Sequence, residues 1–418
     1  MFEQELKDFL LQEAKERFLR YVQINTESNP SNEATPSDES EWDLAKVLEK
    51  ELKELGIQNV ELDEFCYVYA TIPATQGVKS PPISFIAHMD TAPGESGKNV
   101  KPIIHKKYDG SPITFPDKKD MTLSVQEVPA LKRYIGDDII TASGLTLLGA
   151  DDKAGVAEIM AACAALQKHP DLPHPELRIC FTPDEEVGAG TAKIRLEKLG
   201  SYAYTLDGGE IGELEDECFN AYSVKLHFIG KNVHPGFSKN VMVNAGAIAS
   251  RFATELPEYE TPEHTEKREG FFHQVSIQGD PNDAYLDYIL RDFETDNNLK
   301  RIKLIENLIS LYEIKYPGLK IEIKMKNSYR NMRDVLQNHP EVSSLAEAAF
   351  QTAKIKPKRE PIRGGTDGAR LCFMGVPTPN IFAGGLMFHS KKEWIPVSAL
   401  EKGAEVVLHL CRLWAHRG

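Results

Sequence analysis

The stretch LLGADDKAG at residues 147–155 constrains the fold more than any other part of the chain. It joins a short apolar segment to a predicted helix that stays apolar or small on nearly every side to about residue 166, so this helix must be buried. Two adjacent acids, Asp151 and Asp152, therefore lie at the entrance of a buried element. Buried carboxylates are costly unless a cation such as a metal ion compensates them. One acid here could simply cap the helix, whereas two favour a search for further metal ligands.

Length and charge limit the class of protein. A chain of 418 residues is too long for one ordinary core, so we expect two domains. The net charge of −14 disfavours nucleic acid or an anionic membrane as a partner and favours substrates with a positive group. The six cysteines are far apart and form no CxxC motif, which predicts a reducing, cytoplasmic compartment. The acidic N-terminus does not resemble a signal peptide, and no membrane span is expected.

The first part of the chain predicts alternating helices and strands. Apolar residues recur at helical spacing over residues 6–22 and 41–55, and residues 60–72 alternate like strands. The compact apolar run at 83–87 reads as a buried strand. Residues 94–138 have weak periodicity, and we expect a long surface excursion that contains a hairpin.

Polar residues follow three predicted strands at the point where each strand ends. The run at 83–87 ends in HMDT, the strand at 177–182 runs into PDEEVG, and the strand at 202–206 ends in Asp207. Ligands bind outside the carboxyl ends of strands in open α/β sheets. The sequence therefore predicts an α/β fold with these loops around one crevice.

Residues 217–328 have a different pattern, which predicts elements in the order β-α-β-β-α-β of a small ferredoxin-like domain. We expect this domain to be inserted into a larger one formed by residues 1–216 and 329–418. The last helix is predicted to open with Ser398 and Glu401 at capping-box spacing and to run to about residue 414.

Two acidic and histidine motifs could carry chemistry. His88 and Asp90 are two residues apart at a strand end, so both side chains leave the same face and can act as a metal ligand and its orienting partner. Glu185 and Glu186 are consecutive, so one can bind metal while the other faces a substrate as a base. Surface Glu pairs are more often simply solvated.

Asp207 and His389 each have an ordinary alternative as well. Asp207 precedes two glycines and could be a turn residue, and His389 could be a loop histidine. Each ordinary explanation is acceptable alone. Five such groups at one predicted sheet edge favour a metal site.

Motifs spread over nearly the whole chain resemble those of one family. The matching motifs are HMDT (88–91), TLLGADDKAG (146–155), FTPDEEVG (181–188), LDGG (206–209), HPG (234–236), RGGTDG (363–368) and FHS (388–390). On these motifs the chain resembles the M20 family of dinuclear zinc peptidases, and within it the tripeptide aminopeptidases. The resemblance implies a mixed-sheet zinc-peptidase catalytic domain with a ferredoxin-like lid domain inserted in it.

The resemblance also implies the roles of site residues. Two Zn²⁺ ions, or another divalent pair, would be held by His88, Asp151 and Asp207 and by Asp151, Glu186 and His389. Glu185 would be the general base, Asp90 would be the partner of His88, and the Asp151–Asp152 peptide bond would be cis. Nitrogen and oxygen ligands without thiolate suit a hydrolytic site.

Four residues are candidates for substrate binding. The resemblance implies that His234 steadies an oxyanion or a substrate carboxylate, although it could be a loop histidine. Arg291 and Arg363 could clamp that carboxylate, because a guanidinium binds it bidentately, but Arg291 could instead pair with Asp292 on a strand. Asn244 could bind substrate or merely cap a helix.

The expected function is an aminopeptidase that releases the N-terminal residue of short peptides, most plausibly tripeptides. An N-acyl amino acid amidohydrolase or a dipeptidase on the same scaffold is the first alternative. A non-catalytic metal-binding or peptide-binding protein is the second. The resemblance further implies a homodimer formed through the lid domain.

Overall fold

The computed structural model describes residues 2–417. Its helices are α1 (Gln4–Tyr21), α2 (Glu41–Glu54), α3 (Ala150–Lys168), α4 (Ala245–Ala253), α5 (Thr295–Lys315), α6 (Arg333–Leu336), α7 (Pro340–Thr352), α8 (Asp367–Met374) and α9 (Val397–Ala415). Its strands are β1 (Asn59–Leu62), β2 (Val68–Ile72), β3 (Ile83–His88), β4 (Ile103–His105), β5 (Ile113–Phe115), β6 (Lys118–Leu123), β7 (Ile139–Thr141), β8 (Leu177–Thr182), β9 (Tyr202–Gly208), β10 (Glu213–Glu215), β11 (Asn220–Ile229), β12 (Phe271–Gly279), β13 (Asp283–Asp292), β14 (Lys320–Tyr329), β15 (Lys358–Arg359), β16 (Asn380–Phe382) and β17 (Trp394–Pro396). Within residues 2–417, none of these helices has both the length and the apolar character needed to cross a bilayer.

The chain divides into two compact units. The smaller unit consists of Glu217–Arg333 and Pro361–Gly365, and the larger unit contains the rest. The short segment Pro361–Gly365 was not assigned to the inserted domain from sequence. It joins the smaller unit because Ile362 bridges to Cys218 beside the start of β11.

The larger unit is built on a mixed sheet of eight strands in the order β1-β2-β8-β3-β9-β16-β10-β15. At its centre β3 is parallel to both β8 and β9, and β16 is parallel to β9, whereas β2 is antiparallel to β8. The predicted α/β fold is confirmed. The parallel centre brings the carboxyl ends of β3, β8 and β9 to one edge.

Helix α3 is the most deeply buried helix of the larger unit. Every residue from Ala150 to Leu166 is buried, as the apolar pattern on all sides predicted. The helix contacts α1, α9, β3 and β9. Helix α3 lies very close to β9 at Gly155, because a Cβ atom added there would lie 2.1 Å from the carbonyl oxygen of Leu206 in β9.

Residues 94–138 form more than a surface excursion, so this expectation was wrong in part. The predicted hairpin is present as β5 and β6. However, Phe115, Leu123 and Leu131 are fully buried and cluster with Trp394 from β17. The segment has a small core of its own because a distant strand covers its apolar side chains.

The smaller unit has the predicted order β11-α4-β12-β13-α5-β14. Its four strands form an antiparallel sheet in the order β12-β13-β11-β14. Helices α4 and α5 pack on this sheet around a core that includes Phe228, Phe252, Leu286 and Tyr312. This is the connectivity of a ferredoxin-like domain.

The predicted capping box of the last helix is wrong. Helix α9 begins at Val397 after Pro396, and no side chain caps it. The hydroxyl of Ser398 instead donates a hydrogen bond to the Asp137 carboxylate. Ser398 therefore bonds to a residue distant in sequence and does not cap the helix as the local pattern predicted.

Gly155→Ala tests how closely α3 must approach the sheet. In a solvent-exposed helix this change stabilises the folded protein by about 1 kcal/mol. Here the new methyl group would meet the Leu206 carbonyl and lie 2.5 Å from Asp152 Oδ1. We expect a loss of about 1–3 kcal/mol, as for other overpacked sites, and a lower Tm by calorimetry. Gly94→Ala is the matched control because a Cβ there meets nothing within 4 Å. A Tm for Gly155→Ala at or above wild type would contradict the expectation.

Candidate active site

Side chains from several strand ends meet at one edge of the main sheet, all within the larger unit. His88 is the last residue of β3, Asp207 lies near the end of β9, and Glu186 follows β8. Asp151 enters from the start of α3, and His389 from the loop before β17. The structure therefore brings together the five side chains that the sequence nominated as metal ligands.

These side chains form two groups that share Asp151. In the first group, His88 Nε2 lies 3.0 Å from Asp151 Oδ1 and 3.5 Å from Asp207 Oδ1. In the second group, His389 Nε2 lies 3.0 Å from Asp151 Oδ2 and 3.0 Å from Glu186 Oε1. Each group thus has one imidazole and two carboxylates, and each oxygen of Asp151 faces a different group.

The donor atoms fit divalent cations. Among the described residues, His88, Asp151 and Glu186 place ligand atoms within 4.8 Å of one another, and so do His88, Asp152 and Asp207. Glu186 Oε1 is buried and lies 3.0 Å from His389 Nε2, so one cation could bind both atoms. Nitrogen and carboxylate oxygen donors without thiolate are typical of hydrolytic metal sites.

The electrostatics of the cluster also favour an added positive charge. Burial, followed by the charge of Asp151, raises the pKa of Glu186 to about 7. Burial raises the pKa of Asp207 to about 6 despite its hydrogen bond with His88. Hydrogen bonds with Asp151 and Glu186 raise the pKa of His389 to about 10. The raised pKa values of Glu186 and Asp207 reflect crowded negative charge that divalent cations would neutralise.

Asp90 has the orienting position expected for it. Its carboxylate accepts hydrogen bonds from the backbone N–H groups of Glu185 (3.0 Å) and Glu186 (3.1 Å). Asp90 Oδ1 lies 3.3 Å from His88 Nδ1, and the Asp90 carbonyl oxygen lies 3.0 Å from the same nitrogen. One buried residue thus orients His88 and also holds the loop that carries both glutamates.

Glu185 lies in that loop and is half-buried. Its pKa is raised well above the usual value by burial and then by the negative charges of Asp207 and Asp367. The side chain predicted to be a base is therefore next to the predicted ligand Glu186, in an environment that favours taking up a proton.

The peptide bond between Asp151 and Asp152 is cis, as the resemblance implied. The carboxylate of Asp152 accepts hydrogen bonds from the backbone N–H groups of Gly155 and His88, both at 3.2 Å. The capping alternative therefore describes Asp152, and the ligand alternative suits Asp151.

The four candidate substrate-binding residues lie in the smaller unit. His234 is exposed, and its Nδ1 accepts a hydrogen bond from the N–H of Gly236. Asn244 caps α4 by accepting from the N–H of Ala247 at 3.0 Å, so the capping alternative is the one observed.

The two arginines are held differently. Arg291 is half-buried, its Nη1 donates to the Arg363 carbonyl oxygen at 3.1 Å, and its Nε makes no hydrogen bond. Arg291 and Asp292 are consecutive on β13 and leave opposite faces of the strand, and the Asp292 carboxylate pairs with Arg301 at 2.6 Å. Arg363 donates to the carbonyl oxygens of Lys267, Glu269 and Thr265, so its guanidinium anchors the segment before β12.

Sequence reasoning missed three buried polar residues around the site. Asn380 Oδ1 accepts from the N–H of Asp207 at 3.1 Å. Lys153 is 1% exposed and donates to the carbonyl oxygen of Ile24 at 2.7 Å. Glu393 accepts hydrogen bonds from the loop that precedes Asp151. For Lys153 and Glu393, the only sequence signal of burial is their position beside apolar runs.

Comparison with known proteins identifies the family. The family model described as peptidase family M20/M25/M40 matches residues 148–413. The chain belongs to this peptidase family. A relative named Peptidase T, from Geobacillus sp. (strain WCH70), is 45% identical over 403 residues, which cover 96% of this chain and 98% of the relative.

Two solved structures share the fold. The aminopeptidase PepT from Bacillus cereus ATCC 10987 superposes with a TM-score of 0.74 at 24% identity, covering 97% of this chain and 99% of that one. A tripeptidase from Staphylococcus aureus subsp. aureus Mu50 superposes with a TM-score of 0.77 at 22% identity and the same coverage. The fold of these two proteins therefore extends over almost the whole chain.

Proposed function

We propose that this chain is a metal-dependent aminopeptidase that releases the N-terminal residue of tripeptides. The observation that carries the proposal is the pair of donor groups that share Asp151, with Glu185 next to one of the donors. Membership of a peptidase family and the near full-length similarity to a relative named Peptidase T support the same activity.

The roles proposed for the site residues follow from their positions. His88, Asp151 and Asp207 would hold one cation, and Asp151, Glu186 and His389 the other. When bound, two Zn²⁺ or other divalent ions supply Lewis acidity that polarises a peptide carbonyl and makes water a stronger acid. The Glu185 carboxylate accepts a proton from water and later gives it to the leaving amine. Asp90 keeps Glu185 in place through the backbone of its loop.

Glu185→Gln tests the proposed base. The amide has the same size but cannot accept the proton, so we expect kcat to fall by about 10²- to 10⁴-fold. Elemental analysis is expected to find two metals per chain, as in wild type. Asp151→Ala is the contrasting variant, and it should lose both metals because each donor group loses an oxygen. Unchanged turnover in Glu185→Gln would remove the base assignment.

The proposed preference for tripeptides depends on recognition of both ends of the substrate. Among the candidates, Arg291 is favoured for a substrate carboxylate because its buried Nε has no hydrogen-bond partner. His234 is a second candidate, since its Nε2 is free of the hydrogen bond that Nδ1 makes. Arg363 would support Arg291 through its carbonyl oxygen, and Asn244 would support the loop around His234 by capping α4.

A panel of peptides tests the function itself. Trialanine should be cleaved to alanine and dialanine, whereas dialanine and tetra-alanine should be cleaved much more slowly. N-acetyl-trialanine lacks the free amine and trialanine amide lacks the carboxylate, so both should be poor substrates. Preference for N-acetyl amino acids would favour the amidohydrolase alternative. Failure of the metal-loaded protein to cleave any peptide would favour a non-catalytic binding protein.

We also propose a homodimer formed through the smaller unit, which would act as the lid domain. Strand β12 is an edge of that sheet, and its Val275 and Ile277 are 55% and 47% exposed. An exposed apolar edge strand is a template for pairing with a second chain. Sedimentation should give twice the chain mass, and Ile277→Lys should shift the protein toward monomer, unlike Ile135→Lys in the larger unit. A monomeric wild type would contradict this proposal.

The proposed compartment is the cytoplasm. The six cysteines are buried, and none forms a disulfide within the described residues, as suits a reducing environment. Recovery of the protein from a secreted fraction would contradict this.

A further inference from the structure

Glu393 is a buried acid that is neither a proposed metal ligand nor the proposed base. It is 1% exposed and lies between His389 and the apolar strand β17. Its carboxylate accepts three backbone hydrogen bonds. Oε2 accepts from the N–H groups of Leu148 (2.8 Å) and Gly149 (2.7 Å), and Oε1 accepts from the N–H of Asp151 (3.0 Å).

These three N–H groups belong to the turn that starts α3. The first N–H groups of a helix lack partners within the helix and need an acceptor from elsewhere. Gly149 has a left-handed backbone (φ 82°) and no side chain, and Asp152 in the same turn accepts from the N–H groups of Gly155 and His88 instead. Glu393 therefore provides, from more than 240 residues along the chain, the acceptor that a local capping residue would usually provide.

The turn carries the residue on which both donor groups depend. Asp151 has one oxygen in each group, and its backbone N–H is held by Glu393. His389, a donor of the second group, is only four residues before Glu393. The segment 389–393 therefore provides one donor directly and fixes the backbone of the shared donor, which sets the distance between them.

We propose that Glu393 is a positioning residue of the metal centre, which holds the backbone of Asp151 so that its two oxygens face the two donor groups. This inference rests on the proposed function, because it concerns the same cations. The hydrogen bonds of Glu393 go to backbone N–H groups of the turn, so its effect is expected on metal affinity rather than on the proton transfer.

Glu393→Gln tests this role with little change in volume. A glutamine has one acceptor oxygen and one donor nitrogen, so at least one N–H group of the turn would face an NH₂ group. The turn must shift to relieve this contact. Loss of a residue that orients a ligand typically costs about 10- to 100-fold in metal affinity.

The measurement is zinc bound per chain after dialysis of the holoenzyme against a series of Zn²⁺ buffers at pH 8. This pH is above the pKa of Glu393, which burial raises to about 7. We expect Glu393→Gln to need about 10- to 100-fold more free Zn²⁺ than wild type for half-occupancy. Glu405→Gln is the matched control. Glu405 is also fully buried, but Lys7 (2.6 Å) and Lys402 (2.7 Å) hold it on α9.

Each outcome decides the matter. Weaker zinc binding in Glu393→Gln with wild-type binding in Glu405→Gln supports the proposal, whatever the two Tm values are. Wild-type affinity in a folded Glu393→Gln, or equal weakening in both variants, overturns it. If Glu393→Gln does not fold, Glu393→Asp decides by the same criterion, since its shorter side chain cannot reach all three N–H groups. A wild type that binds no metal would refute the proposed function itself.

Discussion

The compensation of buried negative charge around Asp151 is the constraint on which the rest of the structure depends. Asp151 is nearly buried and lies between the imidazoles of His88 and His389, one at each oxygen. Asp207 and Glu186 add a further carboxylate on either side. Burying such a cluster is costly unless protons or an added positive charge compensate it. A pair of divalent cations would meet that requirement and would also supply the chemistry of hydrolysis.

The donors are held mainly through their backbones. Buried side chains accept the backbone N–H groups of four of the five proposed ligands: Asp152 accepts from His88, Glu393 from Asp151, Asp90 from Glu186, and Asn380 from Asp207. Hydrogen bonds to the backbone fix the position from which each side chain extends, and they do not use the side-chain atoms that would bind a cation. This arrangement explains why the site is surrounded by buried polar residues that do not themselves face a substrate.

Local patterns predicted most of the elements, and the resemblance to a family implied the ligand set. The apolar character of α3 on every side indicated its burial, and the strand ends indicated where His88, Asp207 and Glu186 would meet. The β-α-β-β-α-β order of the smaller unit could also be predicted, because apolar residues recur with different periods in strands and in helices. Periodicity was insufficient where a distant partner decides the outcome, as with Ser398, which bonds to Asp137 instead of capping α9, and with the core that Trp394 completes beside Phe115.

By itself, the sequence determined the fold class, the order of the elements and the identity of the candidate ligands, since these depend on residue type, spacing and resemblance to a family. Only the tertiary structure decided that Glu393 holds the turn before Asp151, that Asp152 accepts the N–H of His88, and that the Arg363 guanidinium is bound to backbone carbonyls. The physical reason is that a buried polar group must find a partner wherever the fold provides one. Such partners can be hundreds of residues apart, and no local spacing records them.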